Sequence, residues 1–142
     1  MKKVEKTYTT TMYVAEDGKE YYTENECRAH DEYLLRCSVE REYERYFDLH
    51  SFDRWDGETD SLAQFVGLGS CYTLYLIEVD DIVLEVCDYV GLNGMEKYEG
   101  KKVFLSCEGF WKNSDWYFEG TLNQVLGDLK KQVRQLEELQ MK

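Results

Sequence analysis

Proline is missing altogether from this chain of 142 residues, histidine occurs twice, and basic residues are scarce, 17 against 29 acidic, for a net charge of -12. An average surface this acidic repels phosphate backbones and anionic lipid, so neither bulk nucleic acid nor a membrane surface is an expected partner. Long apolar runs are also missing: stretches such as Ala63-Gln64-Phe65-Val66 and Leu74-Tyr75-Leu76-Ile77 fall far short of the roughly 20 residues of a spanning helix. The opening Met1-Lys2-Lys3-Val4-Glu5-Lys6 has no apolar signal core, and a soluble cytoplasmic protein is expected. Cys27, Cys37, Cys71, Cys87 and Cys107 are odd in number, widely spaced and without a Cys-x-x-Cys pair. That pattern reads as reduced thiols acting as small apolar residues, not as a disulfide framework.

Catalytic and metal-binding patterns are equally sparse. His30 and His50 stand beside no nucleophile within a motif, so the expectation is a protein that is not an enzyme. Cys27 and His30 share one side of a helix, yet no second pair completes a tetrahedral metal set. Asp53, Asp56, Glu58 and Asp60 surround Gly57 without the alternating ligands and closing Glu of a calcium loop. Gly67-Leu68-Gly69-Ser70 precedes a strand instead of following one, which rules out a dinucleotide fingerprint. No metal and no cofactor are expected.

Aromatics are plentiful at 15%, led by 12 Tyr and 3 Trp. Such side chains gather where a surface is both apolar and wet, at interfaces and ligand clefts, although β-propensity alone also places Tyr on half-exposed strands. The chain fits one domain over 1–142: a hairpin and long helix in 1–47, an irregular stretch in 48–70, then strand, helix, hairpin and helix in 71–142. Tyr8–Val14 and Glu20–Tyr22 flank Asp17-Gly18, a favoured tight hairpin connection because both residues tolerate positive φ. Thr23-Glu24-Asn25-Glu26 reads as a capping box, with Tyr22 placed to staple onto Cys27. The helix that follows runs to about Tyr46. A short helical turn fits Ser61–Phe65, and a strand fits Tyr72–Val79.

Asp80 then caps a helix with Ile82, Val83, Val86, Cys87 and Val90 at helical spacing before Gly91; the β-branched content would also fit a strand, with Asp80-Asp81 as its hairpin turn. Lys101–Cys107 and Trp116–Glu119 form a hairpin around Lys112-Asn113-Ser114-Asp115, and Thr121-Leu122-Asn123-Gln124 opens a final capped helix. Leu122, Leu126, Leu129, Val133, Leu136 and Gln140 recur there with spacings of four and three. The expected class is α+β, a mostly antiparallel sheet with its N-terminal hairpin, covered on one side by the long N-terminal helix and the amphipathic C-terminal helix. One sheet face would then stay bare, and a homo-oligomer joined through Leu122, Leu129, Val133 and Leu136 is the expected remedy.

In so acidic a chain the few cations near aromatic rings are the natural ligand candidates. A base stacks on a ring, an amide reads its edge and a cation meets its phosphate. Arg54-Trp55, the hairpin tip Trp111-Lys112-Asn113 through Trp116, and Lys130 with Arg134 one helical turn away supply those groups. The Lys130–Arg134 pair also suits a solvated helix end, where the macrodipole favours cations.

The segment YVAEDGKEYYTENECRAHD resembles the opening of small proteins carried by tailed phages of Gram-positive hosts, which share an Asp-Gly-x-Glu-aromatic turn followed by Glu-Cys. Phage proteins of this size include oligomeric sponges that bind the nucleotide signals of bacterial defence, cyclic oligonucleotides or cyclic ADP-ribose isomers, without cleaving them. The resemblance therefore implies an anti-defence protein that sequesters such a signal. Its alternatives are an acidic inhibitor that imitates DNA in front of a host nuclease, and a structural accessory protein of the phage.

Overall fold

The computed structural model describes residues 1–67 and 71–142. The chain divides into two compact units, Met1–Val39 and Glu40–Lys142, and the class is α+β with antiparallel sheets.

In the first unit β1 (Tyr13–Val14) pairs with β2 (Glu20–Tyr21), and α1 (Glu24–His50) begins after Thr23. The strand expected from Tyr8 shrinks to two residues because its partner is short: Thr23 already caps the helix, its Oγ1 accepting from the Glu26 amide at 3.2 Å. The connection is a three-residue turn. The Gly18 amide donates to the Ala15 carbonyl at 2.9 Å, the Ala15 amide to the Lys19 carbonyl at 2.9 Å, and Gly18 alone takes positive φ, 86°. That is a turn closed by a glycine bulge, not a two-residue hairpin with both residues left-handed. The turn is fastened to α1, since the Glu16 amide donates to Asp31 at 2.8 Å and Asp17 Oδ2 lies 2.7 Å from His30 Nε2. Strand alternation aims Tyr21 at the helix, its ring 5.4 Å from that of His30, and leaves Tyr22 exposed. The expected staple of Tyr22 onto Cys27 is therefore not made.

The second unit is built on a four-stranded antiparallel sheet in the order β3 (Asp53–Asp56), β4 (Thr73–Glu78), β5 (Lys102–Cys107), β6 (Trp116–Thr121). The stretch expected to be irregular is largely regular. The helix α1 continues to His50, β3 follows, and α2 occupies Ser61–Phe65; positions 68–70, with most of the Gly67-Leu68-Gly69-Ser70 run, lie outside the described residues. Between β4 and β5 the helical reading holds for α3 (Asp81–Val90). Asp80 Oδ1 accepts from the Val83 amide at 2.8 Å, and Gly91 ends the helix at φ 86°. A single 3-10 turn, Glu96–Tyr98, follows. The last helix, α4 (Leu122–Gln140), opens with the complete Thr121–Gln124 capping box.

Both faces of this sheet are covered. On one, Tyr75, Ile77, Val103 and Leu105 pack with Phe47 of α1 and with Val83, Val86 and Val90 of α3. On the other, Leu74, Phe104 and Val125 pack with Leu62 of α2 and with Leu122 and Leu129 of α4. The bare face expected from the sequence does not exist. Runs such as Leu74-Tyr75-Leu76-Ile77 and Val103-Phe104-Leu105 are apolar on both sides of the pleat, the mark of strands buried on two faces. Leu122 and Leu129, expected in an oligomer contact, are spent on this inner packing, whereas Val133 and Leu136 are exposed.

Phe47 is the centre of the first face. Fully buried, it meets Tyr75, Phe110 and Trp116 edge to face at centroid distances of 5.4, 5.2 and 5.3 Å, the arrangement that aromatic quadrupoles favour.

Candidate functional site

The chain turns from α1 into β3 within two residues. The Ser51 amide donates to the Phe47 carbonyl at 3.0 Å to finish the helix, and the Phe52 amide donates to the Leu76 carbonyl at 2.7 Å to join the sheet. This sharp entry opens a cleft of about 320 Å³ lined by Phe47, Asp48, Ser51, Phe52, Asp53, Arg54 and Tyr75. Register places Arg54 opposite Tyr75, and the guanidinium bonds to Asp48, with Nη1 3.3 Å from Oδ1. Tyr75 first and Asp48 second raise the Arg54 pKa further, so the charge is permanent. Burial pushes the Tyr75 phenol up, and Arg54 opposes that shift only in part, leaving a neutral hydroxyl beside a fixed cation.

Two further features mark this cleft. Ser51 Oγ is buried with no hydrogen-bond partner, a condition that costs about 1–3 kcal/mol unless something supplies one. Phe52 at the rim is 55% exposed, and Lys102 Nζ stands 4.5 Å from its ring centroid. Lys102 also borders, with Lys101 and the first turn of α4, a neighbouring hollow of about 450 Å³. A permanent cation, a second exposed one, an open ring and an unpaired hydroxyl thus stand together, with the Asp48 and Asp53 carboxylates in the same lining, a set of groups able to hold a polar aromatic ligand.

Of the residues expected from the sequence to bind ligand, Arg54 alone lines this cleft. Trp55 points to the other face of the sheet, half-buried with its ring 5.7 Å from Phe104. Trp116 belongs to the core: it is buried between Phe47 and Phe110, and its indole N–H donates to the Gly109 carbonyl at 2.7 Å. That removes it as a stacking surface. Trp111, Lys112 and Asn113 do share a loop. There Trp111 is exposed, the Lys112 amide donates to Glu40 at 2.9 Å, and Asn113 takes φ 61°. Lys130 and Arg134 are exposed on α4, while the intervening Lys131 lines a hollow of about 480 Å³ with Phe65, Glu119 and Gln132. Ser51, Phe52, Tyr75 and Lys102 are the members that sequence reasoning missed. Strand register brings Tyr75 beside Arg54, and Lys102 arrives through its approach to Phe52, neither of which leaves a local signal in the sequence.

His30, considered with Cys27 for a metal pair, faces Asp17, whose carboxyl that contact holds below its ordinary value. Among the described residues no group of three or more metal-capable side chains comes together, and no helix is long and apolar enough to cross a membrane. Comparison with protein-family models gives no match, and comparisons with curated proteins and with solved structures give none either.

Proposed function

We propose that this chain is a phage-encoded anti-defence protein acting in the host cytoplasm, which binds a nucleotide-derived immune signal in the Arg54 cleft and withholds it without cleaving it. The observation that carries this reading is the meeting of Arg54 and Lys102 around exposed Phe52, beside the buried unpaired Ser51 hydroxyl. In a chain of net charge -12, cations grouped at a concave aromatic site have a use other than solubility. The cleft lies at the lower end of the range for small-molecule sites, which suits one base with its phosphate, the rest of a cyclic ligand lying over the Lys101–Lys102 side. Stacking passes from the three tryptophans to Phe52. Binding and not turnover is the chemistry on offer, since the cleft pairs no nucleophile with a general base. The DNA-mimic alternative needs an unbroken carboxylate face, whereas the acidic run of α1 is interrupted by Arg41 and by Arg45, which pairs with Glu42 at 3.2 Å.

Calorimetric titration of the protein with cyclic dinucleotides, cyclic trinucleotides and cyclic ADP-ribose isomers tests the reading. One of them should bind reversibly and be recovered intact after denaturation. Arg54→Ala should weaken it about tenfold or more, the worth of a charged hydrogen bond, and Phe52→Ala by about 1–3 kcal/mol. Trp55→Phe should change little. Absence of heat with every ligand, together with retention of a host nuclease in pull-downs, would replace this reading with the acidic-inhibitor one.

A further inference from the structure

The helix α4 outruns the sheet that it covers. Nineteen residues span roughly 28 Å at 1.5 Å each, whereas the six-residue strands β5 and β6 span roughly 20 Å. Its apolar stripe does not stop where the sheet does. Leu122, Val125 and Leu129 pack on Leu74 and Phe104, and one turn further Val133 and Leu136 continue the same side of the helix at 51% and 65% exposure. Written as heptads, Val133 is an a position and Leu136 a d position, with Lys130 and Glu137 both at e. The stretch from Lys130 to Glu137 therefore carries a cation at its start and an anion at its end on one flank of an exposed apolar seam.

That order selects the occupant and its direction. In an antiparallel pair of helices, e residues meet e residues, so a second copy laid head to tail sets Lys130 against Glu137 twice while Val133 and Leu136 of the two copies interleave. A parallel pair would place Lys130 beside Val125 and Glu137 beside Gln132, with no ion pair. We infer that the distal half of α4 is a self-association surface, on which two copies of this chain pair antiparallel through Val133 and Leu136 with reciprocal Lys130–Glu137 contacts. The interface is isologous, as closed two-fold dimers require, and it is independent of the ligand reading.

Sedimentation velocity of the full chain from about 1 to about 200 µM should show a reversible, concentration-dependent dimer. Val133→Glu with Leu136→Glu should give a monomer of unchanged melting temperature, because both side chains are exposed in the single copy. Lys130→Glu alone, or Glu137→Lys alone, should weaken association by roughly threefold to tenfold, the size of two exposed ion pairs, and the double reversal should restore it. Should the glutamates lower the melting temperature, the exposed Lys130 and Glu137 variants carry the test by themselves. A monomer at every concentration, a dimer indifferent to both sets of changes, or a double reversal that fails to rescue would each overturn the inference.

Discussion

At Gly109 the need for glycine arises from a neighbouring ring, since the Trp111 indole lies against its backbone and a Cβ there would sit 1.8 Å from Cζ3 and 2.3 Å from Cε3. Trp111 is about half exposed and can swing away, so the clash is relieved at modest cost. Gly109→Ala is expected to lower stability by about 1 kcal/mol and to shift tryptophan emission to the red as the indole enters water. An unshifted spectrum would show that the ring does not rest there. Two buried thiols give a second residue-scale prediction. Burial pushes Cys87 and Cys107 up to about 12 from an ordinary 9.0, and burial with the Asp80 hydrogen bond pushes the Tyr46 phenol from 10.0 to about 12. The unfolded chain releases these protons first, so their contribution to stability is complete below about pH 9 and is lost as pH climbs toward about 12. Urea midpoints measured between about pH 8 and about pH 11 should therefore fall; a flat profile would contradict the buried, neutral state of these groups.

Among the elements, the last turns of α1 have the largest consequence for their size, because they deliver Phe47 to the centre of the core and Ser51 to the cleft. Phe47→Ala removes the ring that Tyr75, Phe110 and Trp116 all meet and should cost about 3–5 kcal/mol, a large share of the 5–15 kcal/mol typical of a domain. Phe47→Leu should cost less, and urea denaturation distinguishes the two. What the sequence made legible at this scale is local chemistry. Asp80 and Gly91 mark both ends of α3, and Thr121 with Gln124 marks the start of α4, since a cap is satisfied within four residues. What it hid is set by partners far along the chain. Phe47 sits in a charged helix and declares its burial only once β4 and the Phe110 loop close over it, and β3 is a strand because β4 pairs with it. The hairpin turn was missed more narrowly: the Ala15 carbonyl accepts the Gly18 amide, which shifts the reversal one residue earlier than Asp-Gly alone suggests.

At the scale of the whole molecule, helices cover both faces of the sheet in the second unit, and the clefts and the exposed end of α4 lie outside that packing. The candidate site was legible only as Arg54, a rare cation next to Trp55. Its other members arrive through the register of Arg54 with Tyr75 and through the approach of Lys102 to Phe52, neither of which spacing along the chain encodes. Trp116 misled for the same reason, because a buried tryptophan and a stacking one look alike in sequence. The central claim is that the hollow between α1 and β3 holds an anionic nucleotide ligand. Amide chemical shifts of the full chain, followed during titration with cyclic dinucleotides, cyclic trinucleotides and cyclic ADP-ribose isomers, test it most directly. Saturable shifts at Ser51, Phe52, Arg54, Tyr75 and Lys102 with one of these ligands are predicted, whereas spectra unmoved by all of them, or shifts confined to the Trp111 loop or to the hollow at Lys131, would contradict it.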